Sequence, residues 1–137
     1  MPTVAACTGH GIAMGAFMIM ACDTRIATKG KYKMSLPETA IGMDLPPILI
    51  TLAASRISKR HFTRVALQSE VYNPEQAVDA GFIDEVVDID DLEARSMAVA
   101  EKLAQLPQPQ YATNKLSIRA ETLQTMRDSL EELKVDG

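Results

Sequence analysis

A carboxylate among apolar side chains is the feature of this sequence best suited to acid-base chemistry. Glu38 stands in the run Leu36-Pro37-Glu38-Thr39-Ala40-Ile41-Gly42-Met43-Asp44-Leu45-Pro46-Pro47, a stretch rich in residues that break helices and strands. Leu36, Pro37, Ala40 and Ile41 give it hydrocarbon neighbours, a setting suited to a proton-transferring group. The competing reading is a solvated loop carboxylate. Asp44 in the same loop is a weaker candidate for an auxiliary acid. An Asp ahead of Leu45-Pro46-Pro47 more often bonds nearby backbone N–H groups at a turn or helix start.

A second chemical possibility lies upstream. The turn Thr8-Gly9-His10-Gly11 leads into an apolar helix from about Gly15 to Cys22. The amino end of a buried helix presents N–H donors and the positive end of its dipole to an oxygen that gains negative charge. Alternatively, Gly9, Gly11 and Gly15 only permit a tight turn and close packing. His10 in that turn reads first as structural. His61, inside Ser58-Lys59-Arg60-His61, reads as part of a solvated helix face. Cys7 and Cys22 have neither a second pair nor a ligand spacing around them, so they read as reduced core residues, and no metal site is expected.

The elements that must position these groups follow from pattern. Pro2–Cys7, Asp23–Thr28 and Phe82–Val87 read as strands, and Tyr32–Leu36 as an extended piece. The Gly15–Cys22 helix is apolar all round and so is expected to be buried on most sides. Pro47 starts a further helix, and a short one spans about Ser58 to Gln68. Asn73-Pro74 opens another that Gly81 closes. Leu92, Val99, Leu103 and Leu106 mark one helix face, Pro107 and Pro109 interrupt it, and two more helical patterns reach Lys134. The boundary between an α/β part, residues 1–90, and a helical tail, residues 91–137, falls near residue 90.

Composition narrows the function. With 137 residues, 47% apolar and 23% charged, the chain is one globular unit or a piece of a larger one. Fourteen basic residues against eighteen acidic ones, net charge -4, with no basic block, argue against nucleic acid as a partner. Met1–Cys22 carries no charged side chain, yet Thr8, Gly9, His10, Gly11 and Gly15 leave it short of the roughly 20 apolar residues that span a bilayer. No membrane partner is expected, and without a targeting pattern the expected compartment is cytoplasmic.

Four patterns in order resemble the crotonase superfamily, the enoyl-CoA hydratases and isomerases: PTVAACTGHGIAMGAFMIMACDTRIA, LPETAIGM, ALQSEVYNPEQAVDAGFIDEVV and the helical tail. The resemblance implies an α/β fold, the second half only of a crotonase-like ββα spiral, followed by an all-helical oligomerisation region. The family's first half, which supplies one oxyanion donor and most of the coenzyme A pocket, has no counterpart here.

Aligning on Cys22-Asp23, the resemblance puts the other backbone oxyanion donor at Met14, beside Gly15, and the second catalytic glutamate at Glu38. The first catalytic glutamate falls at Phe17. Hydration uses two carboxylates, whereas moving a double bond needs one base, so the resemblance points to the isomerase branch. Hydratase and a non-catalytic half-domain are the alternatives. Phe17, Leu36, Ile41 and Pro46 are expected to contact an acyl-CoA substrate, with coenzyme A only as part of the thioester and no separate cofactor. Met14, Met18, Met20 and Met43 read first as core packing, with an acyl-chain pocket as the alternative. A trimer or hexamer through the tail is implied.

Overall fold

The computed structural model describes residues 1–135. In chain order it contains β1 (Val4–Cys7), β2 (Gly11–Ile12), α1 (Met14–Ala21), β3 (Thr24–Thr28), β4 (Met34–Ser35), a 3-10 turn (Thr39–Ile41), α2 (Pro47–Arg56) and α3 (Lys59–Phe62). A π-helical turn (Thr63–Leu67), α4 (Pro74–Ala80), β5 (Glu85–Val87), α5 (Ile89–Ala104), α6 (Gln108–Ile118) and α7 (Ala120–Val135) follow.

Small and β-branched residues build a parallel sheet in the order β1-β3-β5, with Val4 opposite Thr24 and Ile26 opposite Glu85. Parallel neighbours require a crossover, which α1 makes between β1 and β3. β2 and β4 form a separate parallel pair. α5 lies against β1 and β3, and α7 runs along α2. The core gathers Phe17 and Met20 of α1, Met34 and Leu36 around β4, Ala53 and Ile57 around α2, and Val65, Tyr72, Phe82 and Ile83.

Local chemistry sets the boundaries. At the start of α4, the Asn73 side chain accepts from Gln76 N–H (2.8 Å) and the Gln76 side chain accepts from Asn73 N–H (3.1 Å), a reciprocal cap. Gly81 ends that helix at φ 101°, where a Cβ would stand 2.6 Å from the Arg56 carbonyl oxygen. The strand expected from Phe82 begins only at Glu85, because Phe82 N–H is still bonded to Ala77 C=O at the helix end. Behind β3, the buried Arg25 guanidinium donates to Asp84 (2.8 and 3.2 Å) and to the carbonyls of Gly81 (2.8 Å) and Phe82 (3.3 Å).

α1 departs from expectation. Ala16, Phe17 and Met20 are buried, but Met14 is 58% and Met18 68% exposed. With every side chain apolar, the sequence holds no polar stripe to mark the outward face. One side of the helix meets the core and the other meets no element among the described residues.

Asp23, just beyond α1, ties the tail to the sheet. Its Oδ2 accepts from Thr3 N–H (3.0 Å), the Tyr111 hydroxyl (2.9 Å) and the Lys115 ammonium (2.8 Å). Its Oδ1 lies 2.8 Å from Arg119, an ion contact rather than an aligned hydrogen bond. Burial alone would raise this carboxyl. Lys115, Tyr111, Thr3 and the Arg119 charge outweigh burial and hold it at about 2, against an ordinary 3.8. The stabilisation is therefore complete above pH 3.8 and is lost as pH falls toward 2. Amide protection factors in α6, taken relative to β3, should drop across that interval, and Asp23→Asn should show the drop already at neutral pH. Protection in α6 that follows β3 throughout would refute this.

Candidate active site

The β2–β4 pair sets Gly11 opposite Met34 and Ile12 opposite Ser35. It is extended by Gly11 N–H to Lys33 C=O (2.9 Å) and Ala13 N–H to Ser35 C=O (3.1 Å). Paired parallel strands finish at one edge, so the segments that leave them start side by side. The start of α1 leaves β2, and Leu36-Pro37-Glu38 leaves β4. The approach is tight: a Cβ on Gly11 would lie 2.5 Å from Met34 Sδ and 2.9 Å from Ile19 Cδ1.

Ala13 links β2 to α1 at φ 51°, ψ -124°, a conformation costly for any residue with a Cβ. This sharp bend starts the helix at once. Ala13 C=O takes the N–H of Phe17 (3.2 Å), so the N–H groups of Met14 and Gly15 precede the first intrahelical bond. Above Gly15, the space a Cβ would occupy has no heavy atom within 4 Å.

Glu38 is only 6% exposed, and its Oε2 is sealed from solvent without a hydrogen-bond partner among the described residues. An unpartnered buried carboxylate oxygen is costly, and such groups in native folds call for a chemical explanation. The backbone beneath it is fixed: Glu38 C=O accepts from Ile41 N–H (3.2 Å) and Met43 N–H (2.8 Å), and Gly42 closes the turn at φ 73°.

The other sequence-derived positions divide. Phe17 and Leu36 are core residues, 2% and 0% exposed, whereas Ile41 is 60% exposed and Pro46 half-buried ahead of α2. Asp44 is exposed. His10 has a structural partner: its Nδ1 accepts from Lys33 N–H (3.0 Å) next to β4, and its ring stands edge-on to Tyr32. Cys7 is buried and Cys22 half-buried, both as free thiols.

His61 corrects the sequence reading. It is buried, not solvated, because its Nε2 bonds Asp79 (2.8 Å) and its Nδ1 meets the Tyr72 hydroxyl (3.0 Å). A carboxylate only accepts, so Nε2–H donates to Asp79, and Nδ1 shares a hydrogen bond with the Tyr72 hydroxyl. Burial, aided by Glu70, pushes the Tyr72 phenol above its ordinary range and keeps it a hydroxyl. Tyr72 in turn exchanges two backbone bonds with Met34, both 2.9 Å, and so braces the strand ahead of Glu38. Sequence reasoning missed this brace. The one available signal was an aromatic residue just ahead of the Asn73 cap.

Comparison with known proteins gives a consistent picture. The model of the "Enoyl-CoA hydratase/isomerase" family matches residues 1–134. Mitochondrial enoyl-CoA delta isomerase 1 of Mus musculus is 27% identical over 123 residues, 89% of this chain and 43% of that protein. An enoyl-CoA hydratase/isomerase family protein of Pseudomonas syringae superposes with a TM-score of 0.93 at 35% identity, over 96% of this chain and 57% of that one. A Mycobacterium tuberculosis protein, described in one structure as an enoyl-CoA isomerase and in another as a probable enoyl-CoA hydratase, superposes with TM-scores of 0.93 and 0.92, both at 32% identity, over 99% and 98% of this chain and 60% and 57% of the other. The chain thus spans about half the length of the relatives it matches. No helix among the described residues is long and apolar enough to cross a membrane.

Tyr72→Phe should leave His61 Nδ1 buried without its partner and destabilise the fold by about 1–2 kcal/mol, read as a lower urea midpoint. An unchanged midpoint would mean that the hydroxyl contributes nothing to this brace.

Proposed function

We propose, from the premise that this chain belongs to the enoyl-CoA hydratase/isomerase family, that it carries the proton-transfer half of an acyl-CoA isomerase site. In this reading Glu38 removes a proton from C2 of a 3-enoyl thioester. The C3–C4 double bond shifts to C2–C3, and the same proton returns at C4, with no net oxidation and no water added. Backbone N–H groups of Met14 and Gly15, at the start of α1, hold the thioester oxygen as it becomes negative. Donors preset for that charge favour the transition state over the ground state.

The observation that carries the reading is the sealed, unpartnered Glu38 oxygen in the loop that leaves β4, the strand paired with the one that leads into α1. Position 17 argues against hydratase, since Phe17 is a core side chain with no proton to exchange. Ile41 and Pro46 would contact the acyl chain. An apolar groove along Met43, Leu45, Ile50, Phe62 and Leu67 opens beside them. Exposed Leu116, Ile118, Leu130 and Leu133 on α6 and α7 suit a homo-oligomer.

The same exposed apolar residues on α6 and α7 also suit a second reading, a non-catalytic module that assembles with a partner. Intact mass of the native protein separates the two, since the catalytic reading needs the remaining part of the site.

With 3-hexenoyl-CoA and the full-length protein from its source, formation of the conjugated 2-enoyl thioester should be seen by its absorbance. Glu38→Gln should lower kcat by about 10³-fold, as expected for loss of the acid-base group. Near-normal turnover in that variant would overturn the isomerase assignment.

A further inference from the structure

We infer that Ser69 is a positioning residue for Glu38, acting through the N–H of Ala40; the inference rests on the role given to Glu38 above. One short segment grips the Glu38 loop at both ends. Upstream, Tyr72 and Met34 exchange their two backbone bonds of 2.9 Å. Downstream, Ala40 N–H donates to Ser69 Oγ at 3.2 Å. Glu38 lies between these anchors. The Ala40 N–H belongs to the first residues of the 3-10 turn, where no partner exists within the turn itself, so the serine hydroxyl supplies one.

The backbone around Ser69 is irregular in a way that presents this hydroxyl. The chain winds through the π turn Thr63–Leu67, then Gln68 N–H bonds Thr63 C=O (3.1 Å) and Glu70 N–H bonds Arg64 C=O (3.0 Å). Ser69 itself is held at φ 54°. Among the described residues, the only other non-glycine residue at positive φ is Ala13, the bend that starts α1. Both strained residues therefore flank the candidate site, one setting the helix start and the other the Glu38 loop. Glycine would adopt the Ser69 conformation without strain. What serine adds is an oxygen that accepts from Ala40.

The test uses the full-length protein with 3-hexenoyl-CoA as probe. Ser69→Gly removes the hydroxyl and relaxes the backbone, so thermal stability should hold or rise. Turnover should nonetheless fall about tenfold with KM nearly unchanged, because a small displacement of a proton-transfer group is felt mainly in kcat. The Ala40 amide should exchange about tenfold faster, as its hydrogen bond is lost. Ser69→Asn keeps a side-chain oxygen on a residue that tolerates left-handed backbone and should restore most of the kcat. Wild-type kcat in Ser69→Gly, or an unchanged Ala40 exchange rate, overturns the proposal. Combined with Glu38→Gln, Ser69→Gly should add nothing to the loss; an additive loss also overturns it. Full turnover in Glu38→Gln alone is a different failure, that of the isomerase reading itself.

Discussion

The close approach of β2 to β4 is the constraint on which the rest depends. It is a short pairing, two residues on each strand, prolonged by single backbone bonds to Lys33 and Ser35. Gly11 leaves room there for the side-chain ends of Met34 and Ile19, which a Cβ would displace. From that contact the chain leaves in two directions, into the bend at Ala13 and into the loop of Glu38. The hydrophobic core supports this edge from beneath through Phe17, Met34 and Leu36. These residues serve the site as foundation, which is why two positions expected to touch a ligand are packed away from the surface.

Much of this was legible in the sequence where local chemistry is decisive. Asn73-Pro74 and Gly81 marked a helix at both ends because caps act over a few residues. Glu38 stood out because Leu36, Pro37, Ala40 and Ile41 surround it with hydrocarbon along the chain. What stayed hidden depends on distant partners. His61 reads as one charge in a basic run until Tyr72 and Asp79 enclose it. Asp23 reads as a strand residue until Thr3, Tyr111, Lys115 and Arg119 converge on it. Met14 and Met18 read as core because a uniformly apolar helix gives no hint of which side faces outward.

Strain and satisfaction are distributed unevenly in this fold. The sheet and α4 meet their backbone needs with ordinary geometry and a reciprocal cap. Backbone departures concentrate near the Glu38 loop and the start of α1, as two non-glycine residues at positive φ and a π turn, beside one of the five buried side-chain oxygens that have no hydrogen-bond partner among the described residues. A fold tolerates such local costs where the surrounding packing over-determines the backbone, and the core residues beneath β4 provide that packing.

The Arg25 clasp shows how far along the chain the sheet depends for its completion. Its partners, Gly81, Phe82 and Asp84, lie 56 to 59 residues further along the chain. Burying that guanidinium unpaired would be strongly unfavourable. The seat of β3 in the sheet is therefore a long-range closure, complete only when the segment between α4 and β5 lies against it.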